Sequence, residues 1–355
     1  DANNALVGFG LSMVTLCYLR RFLVRLSDLV AEHGAENYRL SEEVLAFFDN
    51  VSGVLEHPDS AAATRDDGAR KAFMDRMGAA SEAYRESVYA GLSGRKDTLR
   101  SAQLTALVNR ALALLDDSIV ASRRDDGLFH AYNILKLDGH GHGVEHLQEM
   151  LEGQVAVLNT GLLEPAECLS LLHSLQQSRL FRPDQQSYIL YPSTPLPGFL
   201  EKNVIDPEQV AHNAWIQAEL DSNRAQFVER DVLGRVHFNG RFRNAAGLRQ
   251  ALRQDRGIDG DEADALCDVF ESVFQHRRFT GRSGTMYKYE GLGSIYWHMV
   301  SKLLLVVGEI VEQAQEASPE VRAGLLAHYD GIKAGIGAHK SPDDYGAFPM
   351  DPYSH

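Results

Sequence analysis

Apolar residues recur at spacings of three and four along most of this chain, the period of helices that bury one face. The pattern predicts helices over residues 6–33, 41–56, 65–93, 99–122, 145–160, 165–179, 206–223, 245–254, 260–275, 294–316 and 318–334. Strand-like runs are short: residues 128–137, residues 187–191, and residues 234–242, where Val236 and Phe238 alternate with polar neighbours. Helix boundaries are marked, for instance by Gly34 after the first helix and by Asp206-Pro207 opening the seventh. The expected fold is mainly α with short β excursions in loops. Helix pairs alternating with long polar loops point to an α/α toroid, read as a single helical domain over residues 1–355.

Composition narrows the function classes. At 355 residues, 44% hydrophobic and 24% charged, the chain can bury a large core, which excludes disorder as its overall state. A net charge of −14 and a pI near 5.4 argue against nucleic acid or an anionic membrane surface as partners, and suit neutral polyols. Cys17, Cys168 and Cys267 are odd in number and far apart, so neither a disulfide framework nor a Cys-x-x-Cys metal site is expected. A reducing, cytoplasmic setting follows as the simplest expectation. The longest apolar run, Leu6 to Leu19, is interrupted by Ser12 and Thr15 and closed by Arg20-Arg21, too short for a bilayer span and without a signal-peptide leader. The opening Asp1-Ala2-Asn3-Asn4 and the closing Asp351-Pro352-Tyr353-Ser354-His355 read as the cut ends of a piece of a longer chain.

The densest candidate chemistry lies between Gly281 and His298. Arg282, Lys288, Glu290 and His298 gather there around the aromatic pairs Tyr287/Tyr289 and Tyr296/Trp297, with Gly281, Gly284, Gly291 and Gly293 allowing close approach of backbone to a ligand. An apolar helix follows, a rigid support for groups held on a loop. Upstream, Glu145, Glu149 and Glu152 fall on one face of the helix expected over 145–160, with Glu145 and Glu149 read as a solvated face. Gln154 begins the apolar stretch beyond them.

Two rival sites are weighed and set aside. His140, His142, Glu145 and His146 offer ligands for zinc or nickel, but their spacing fits no closed structural zinc pattern, and a flexible surface loop is the preferred reading. No metal is expected. The acids from Asp255 to Glu262 are out of register for an EF-hand and read as a helix N-terminus with favourable charges. Gly291-x-Gly293 lacks the third glycine of a dinucleotide fingerprint, and no Walker-type loop occurs.

Three local anchors carry a resemblance to a known family. The run Glu152 to Leu163, followed by Leu180-Phe181 and Tyr188 to Pro192, resembles the helix-pair rhythm of (α/α)6 carbohydrate-active enzymes. Gly293-Ser294-Ile295-Tyr296-Trp297-His298 resembles a loop of the inverting phosphorylases of glycoside hydrolase family 94, the cellobiose and chitobiose phosphorylase type. Asp1-Ala2-Asn3-Asn4 looks like the tail of that family's W-N-D-G-x-N motif, and Asp351-Pro352-Tyr353 like the E-P-Y before its phosphate loop, with Asp351 in place of the usual Glu. From Glu290 to His298 the spacing is one residue longer than in the family.

The resemblance implies an enzyme that cleaves or makes a β-glucoside with phosphate as co-substrate and no cofactor. It implies Asp1 as catalytic acid, and Glu290 is carried as a second catalytic candidate. His298, Arg282 and Lys288 are the nearest phosphate-binding candidates by sequence, and Tyr287, Tyr289, Tyr296, Trp297, Gln154 and Tyr353 are candidates for contacting the oligosaccharide or disaccharide. A homodimer, an N-terminal β-sandwich and a C-terminal phosphate loop outside this sequence are further family expectations. The bland alternatives are a helix N-cap for Asp1, a core position for His298, and packing for half of the aromatics. An inverting hydrolase on the same body and a non-catalytic helical interaction protein remain as rival functions.

Overall fold

In the computed structural model, the residues described are 10–137, 140–192, 197–222, 224–274, 295 and 297–337. The helix that the apolar pattern starts at residue 6 begins only at Met13, because Gly10–Ser12 is a strand, β1. Ser12 caps the following helix α1 (Met13–His33), its Oγ accepting from the Thr15 N–H at 3.1 Å. The chain then makes β2 (Asn37–Ser41), α2 (Glu42–Glu56), a 3-10 turn (Pro58–Thr64), α3 (Asp67–Ala90), β3 (Lys96–Arg100) and α4 (Ser101–Ala121). Strands β2 and β3 pair antiparallel, Asn37 opposite Arg100, which joins segments some sixty positions apart in sequence. Helix α2 packs on α3, and α1 packs on α4 around the buried Cys17, Leu23, Val108 and Ile119.

Next come β4 (Tyr132–Leu137) and β5 (His142–His146), and β4 lies between β1 and β5 in one antiparallel sheet. This corrects the single helix expected over 145–160: its first residues are strand, and the helix proper is the shorter α5 (Leu151–Leu158). Seven of the eight residues of α5 are buried. Gly153 is required there, since a Cβ would meet the Ala131 backbone and side chain at 2.8–3.2 Å. Helix α6 (Pro165–Gln177) and the hairpin β6 (Phe181–Arg182) to β7 (Ser187–Tyr188) follow.

The described residues then divide into two compact units, 10–192 with 295–337, and 197–274. The second contains α7 (Phe199–Lys202), α8 (Pro207–His212), α9 (Ala214–Asp221), the hairpin β8 (Val228–Arg230) to β9 (Val236–Phe238), α10 (Ala245–Ala251) and α11 (Asp261–Phe274). The helix expected over 206–223 is therefore two helices, broken where Asn213 leaves the first and caps the second through its side chain. A core of its own fills this unit, centred on Phe227, Phe238, Phe242, Leu252, Leu266 and Phe270. Asn203 locks β9 to it, donating to the Phe238 carbonyl at 2.6 Å and accepting from the Phe238 N–H at 2.9 Å. The acids Asp261, Glu262 and Asp264 do occupy the first turn of α11, as their placement in the sequence implies.

The larger unit is completed by α12 (Trp297–Gln313) and α13 (Pro319–Ile336). Helix α12 packs on α5 and α13, and α13 on α6. The fold is mainly α, with short strands serving as clips between helices.

Candidate functional site

Of the candidate catalytic, phosphate-binding and substrate-contacting residues, the structure describes Gln154, Trp297 and His298. Asp1, Arg282, Tyr287, Lys288, Tyr289, Glu290, Tyr296 and Tyr353 lie outside the described residues. Gln154 is fully buried in α5, and its carboxamide is engaged by backbone: Oε1 accepts from the Phe129 N–H at 2.9 Å, while Nε2 donates to the carbonyls of Phe129 and Met150 at 2.8 and 2.9 Å. It bolts the segment leading into β4 onto α5. Trp297 and His298 are the first two residues of α12, the helix that packs on α5; Trp297 is half-buried and His298 is exposed.

The same region holds polar groups that the sequence pattern did not single out as a site. Glu149, expected on a solvated face, is 5% exposed and bridged by Arg179 at 2.9 Å and Arg124 at 3.5 Å. A carboxylate this deep is tolerated only with such partners. Glu145 lies on β5 and pairs with Lys136 across the sheet at 2.6 Å. Tyr132, almost wholly buried, donates its hydroxyl to Glu152 Oε2 at 2.9 Å. Burial, and then the Glu152 carboxylate beside it, push the Tyr132 phenol well above its ordinary value.

His130 and His146 stack with ring centroids 3.9 Å apart and planes 7° from parallel. Burial first, then His146 and the Arg124 guanidinium, push His130 down to about 4. His146 is also lowered, by burial and Arg124, and its Nδ1 lies 2.8 Å from Asn133 Oδ1. From His142 to His146 the histidine-rich run is thus a paired strand rather than a floppy loop. Strand alternation sends Glu145 to the face opposite His142 and His146. Among the described residues no group of three or more His, Cys, Asp or Glu side chains converges as metal ligands do.

The larger unit also contains a cavity of about 850 Å³ lined by Arg21, Asn159, Thr160, Glu164, Glu309 and Glu316 among others; of the described candidates, none of Gln154, Trp297 and His298 is on its wall. Cys17, Cys168 and Cys267 are buried and outside any disulfide, and burial pushes the Cys17 and Cys168 thiols up to about 12.

The smaller unit has boundaries, a closed core and a hairpin of its own, and these coincide with a known module. Residues 196–277 match the family model of GH149 phosphorylase insertion domain 2. The match covers all of the described residues 197–274 of the smaller unit. It relates the chain to glycoside phosphorylases, enzymes that act on carbohydrates, through family GH149, whereas the sequence motifs resemble family 94. No curated protein is significantly similar to the chain. Among the described residues no helix is long and apolar enough to cross a membrane.

Proposed function

We propose that the chain is part of an inverting glycoside phosphorylase acting on a β-linked glucoside, with phosphate as co-substrate and no other cofactor. The observation that supports this most is the match of residues 196–277 to a phosphorylase insertion domain, over a segment that is also an independent compact unit. The anchors at Asp1, around His298 and at Tyr353 are consistent with it. The helical body is then an (α/α)6 barrel, working as a cytoplasmic homodimer.

In this reading a phosphate oxygen attacks the anomeric carbon from the face opposite the glycosidic oxygen. The carbon–oxygen bond to the leaving sugar breaks, and Asp1 donates its proton to the departing oxygen. One carboxylic acid suffices, because phosphate is the nucleophile. Glu290 is the second catalytic candidate. His298, Arg282 and Lys288 hold the phosphate by charge-assisted hydrogen bonds. Tyr287, Tyr289, Tyr296 and Trp297 offer ring faces to the sugars, while Tyr353 contacts the substrate. Gln154, a substrate-contact candidate by sequence, orders the backbone at Phe129 from within α5.

The test is release of inorganic phosphate from α-glucose 1-phosphate by the intact protein, with glucose, N-acetylglucosamine and short β-glucan acceptors. Acceptor-dependent release is expected, and Asp1→Asn abolishes it while leaving the folded state intact. Release of free sugar from a β-glucan without phosphate would instead mark a hydrolase of the same architecture.

A further inference from the structure

We infer that the solvent-facing side of α1 is a dimer interface, on which α1 of a second copy of this chain packs antiparallel, Leu26 of each copy against Leu29 of the other. The inference gives the homodimer proposed above a surface, and it does not depend on the carbohydrate chemistry.

Helix α1 has two apolar faces. Met13, Val14, Cys17 and Leu23 are buried where α1 packs on α4 and α5. Roughly opposite them on the helix lie Leu19, Phe22, Leu26 and Leu29, spaced three, four and three apart, as the a and d positions of a coiled coil are. Leu19, Phe22 and Leu29 are 47%, 61% and 46% exposed, and Leu26 is half-buried. Tyr18 adds another exposed ring beside this seam. Among the described residues, no other helix of the larger unit exposes more than one large apolar side chain. Single exposed hydrophobic residues need no explanation, whereas a seam about three turns long at knob spacing is a surface built to be covered.

The charges beside the seam point to its occupant. Arg25 and Glu32, seven positions apart, lie on the flank of the seam turned away from the interior, while Leu23 on the other flank is buried. Setting two α1 helices antiparallel with Leu26 against Leu29 brings Arg25 of each copy level with Glu32 of the other, twice over by the two-fold axis. The same arrangement opposes the two helix dipoles. Parallel pairing would align the dipoles and set the arginine end of one helix beside the arginine end of the other. The pattern is thus complementary to itself, which an unrelated partner would not require. Within one protomer Arg25 pairs with Glu32 at 3.1 Å and with Asp28 at 4.0 Å, all three side chains being more than half exposed. Exposed pairs of this kind stabilise little, so exchanging them for equivalent pairs between copies costs little and fixes the register of the two helices.

The experiment is sedimentation equilibrium of the intact protein and its variants, with thermal midpoints as a check on folding. The parent is expected to be a dimer at micromolar concentration. Phe22→Glu and Leu29→Glu, at exposed positions where folding is kept, each raise the dimer dissociation constant roughly a hundredfold, because the two-fold axis counts each lost apolar contact twice. Leu92→Glu, equally exposed but away from α1, leaves it unchanged. Arg25→Glu weakens the dimer roughly tenfold, and Arg25→Glu combined with Glu32→Arg returns it to within about threefold of the parent. A monomeric parent overturns the interface, as does a dimer indifferent to Phe22→Glu and Leu29→Glu. A double variant no tighter than Arg25→Glu overturns the antiparallel register. Mass is read here and not turnover, so any of these failures leaves the phosphorylase reading standing, and an inactive parent leaves the interface standing.

Discussion

The imidazoles of His130 and His146 lie face to face, 3.9 Å between ring centroids, although sixteen positions separate them in the chain. The stack exists because β4 and β5 pair with Asn133 opposite His146, which sets His146 beside the residue entering β4. Two rings so close cannot both carry charge cheaply, and His130 Nδ1 is buried with no hydrogen-bond partner among the described residues.

A pH dependence follows, with a definite sign. His130 has a folded-state value near 4, below the ordinary 6.5, so between those two values the unfolded chain binds the extra proton. Stability is therefore fully expressed above pH 6.5 and falls as pH drops through that window toward 4. Besides His146, the groups acting on His130 are Arg124, which reinforces the shift, and Asp126, which opposes it. The expected contribution is on the order of 1 kcal/mol, discounted because the ring is partly solvated. Urea titrations at pH 7, 6 and 5 check it: His130→Phe flattens the slope relative to the parent, and parallel curves would remove His130 from the effect.

Gln154→Leu keeps approximate volume and removes three hydrogen bonds to backbone, leaving the N–H and carbonyl of Phe129 without their amide partner in the interior. The expected loss is about 2–4 kcal/mol of stability. Equilibrium denaturation measures it, and a loss below about 1 kcal/mol would show that Phe129 finds water or another partner.

Gly335 sits where α13 crosses the β6–β7 turn, so close that a Cβ would overlap the Gln186 carbonyl. Backbone cannot swing aside as a long side chain can, and Gln186 is already held at φ 48°. Gly335→Ala is expected to cost about 1–3 kcal/mol by forcing the turn off the helix. The thermal midpoint of the variant, compared with that of Gly331→Ala, where nothing lies within 4 Å of the added carbon, isolates the clash from the change in helix propensity.

The insertion domain is expected to fold without the rest of the chain, since its core is drawn entirely from residues 205–274. A polypeptide spanning 196–277 should unfold cooperatively in denaturant. Phe227, fully buried against Trp215 and Phe242, is its best probe: Phe227→Ala removes about 3–5 kcal/mol, comparable to the whole stability of so small a unit. A non-cooperative melt of the parent fragment would show that the unit borrows stability from its flanks.

Most helices were legible in the periodicity to within a few residues: α2, α3, α4, α6, α11 and α13 all fall where the apolar spacing puts them. The misreadings cluster where a distant strand competes. Gly10–Ser12 and His142–His146 continue into apolar helical patterns, yet both lie against β4, whose position no local spacing reveals. The β2–β3 ribbon was missed for the same reason, since Asn37 and Arg100 meet across two intervening helices.

The site divides along the same line. Spacing and residue type sufficed to mark the helical body, the apolar faces and the acidic start of α11, because each is written within about one helical turn. Which polar side chains are buried, and against what, was settled only by folding. Glu149 looked solvated until Arg124 and Arg179 closed on it from positions 25 residues before and 30 after. Tyr132 and Glu152 became a pair because β4 and α5 bring together residues 20 apart. Helical period reports on neighbours three and four positions away, whereas the energy of a buried charge or hydroxyl depends on whichever groups the packed chain brings within 3 Å of it.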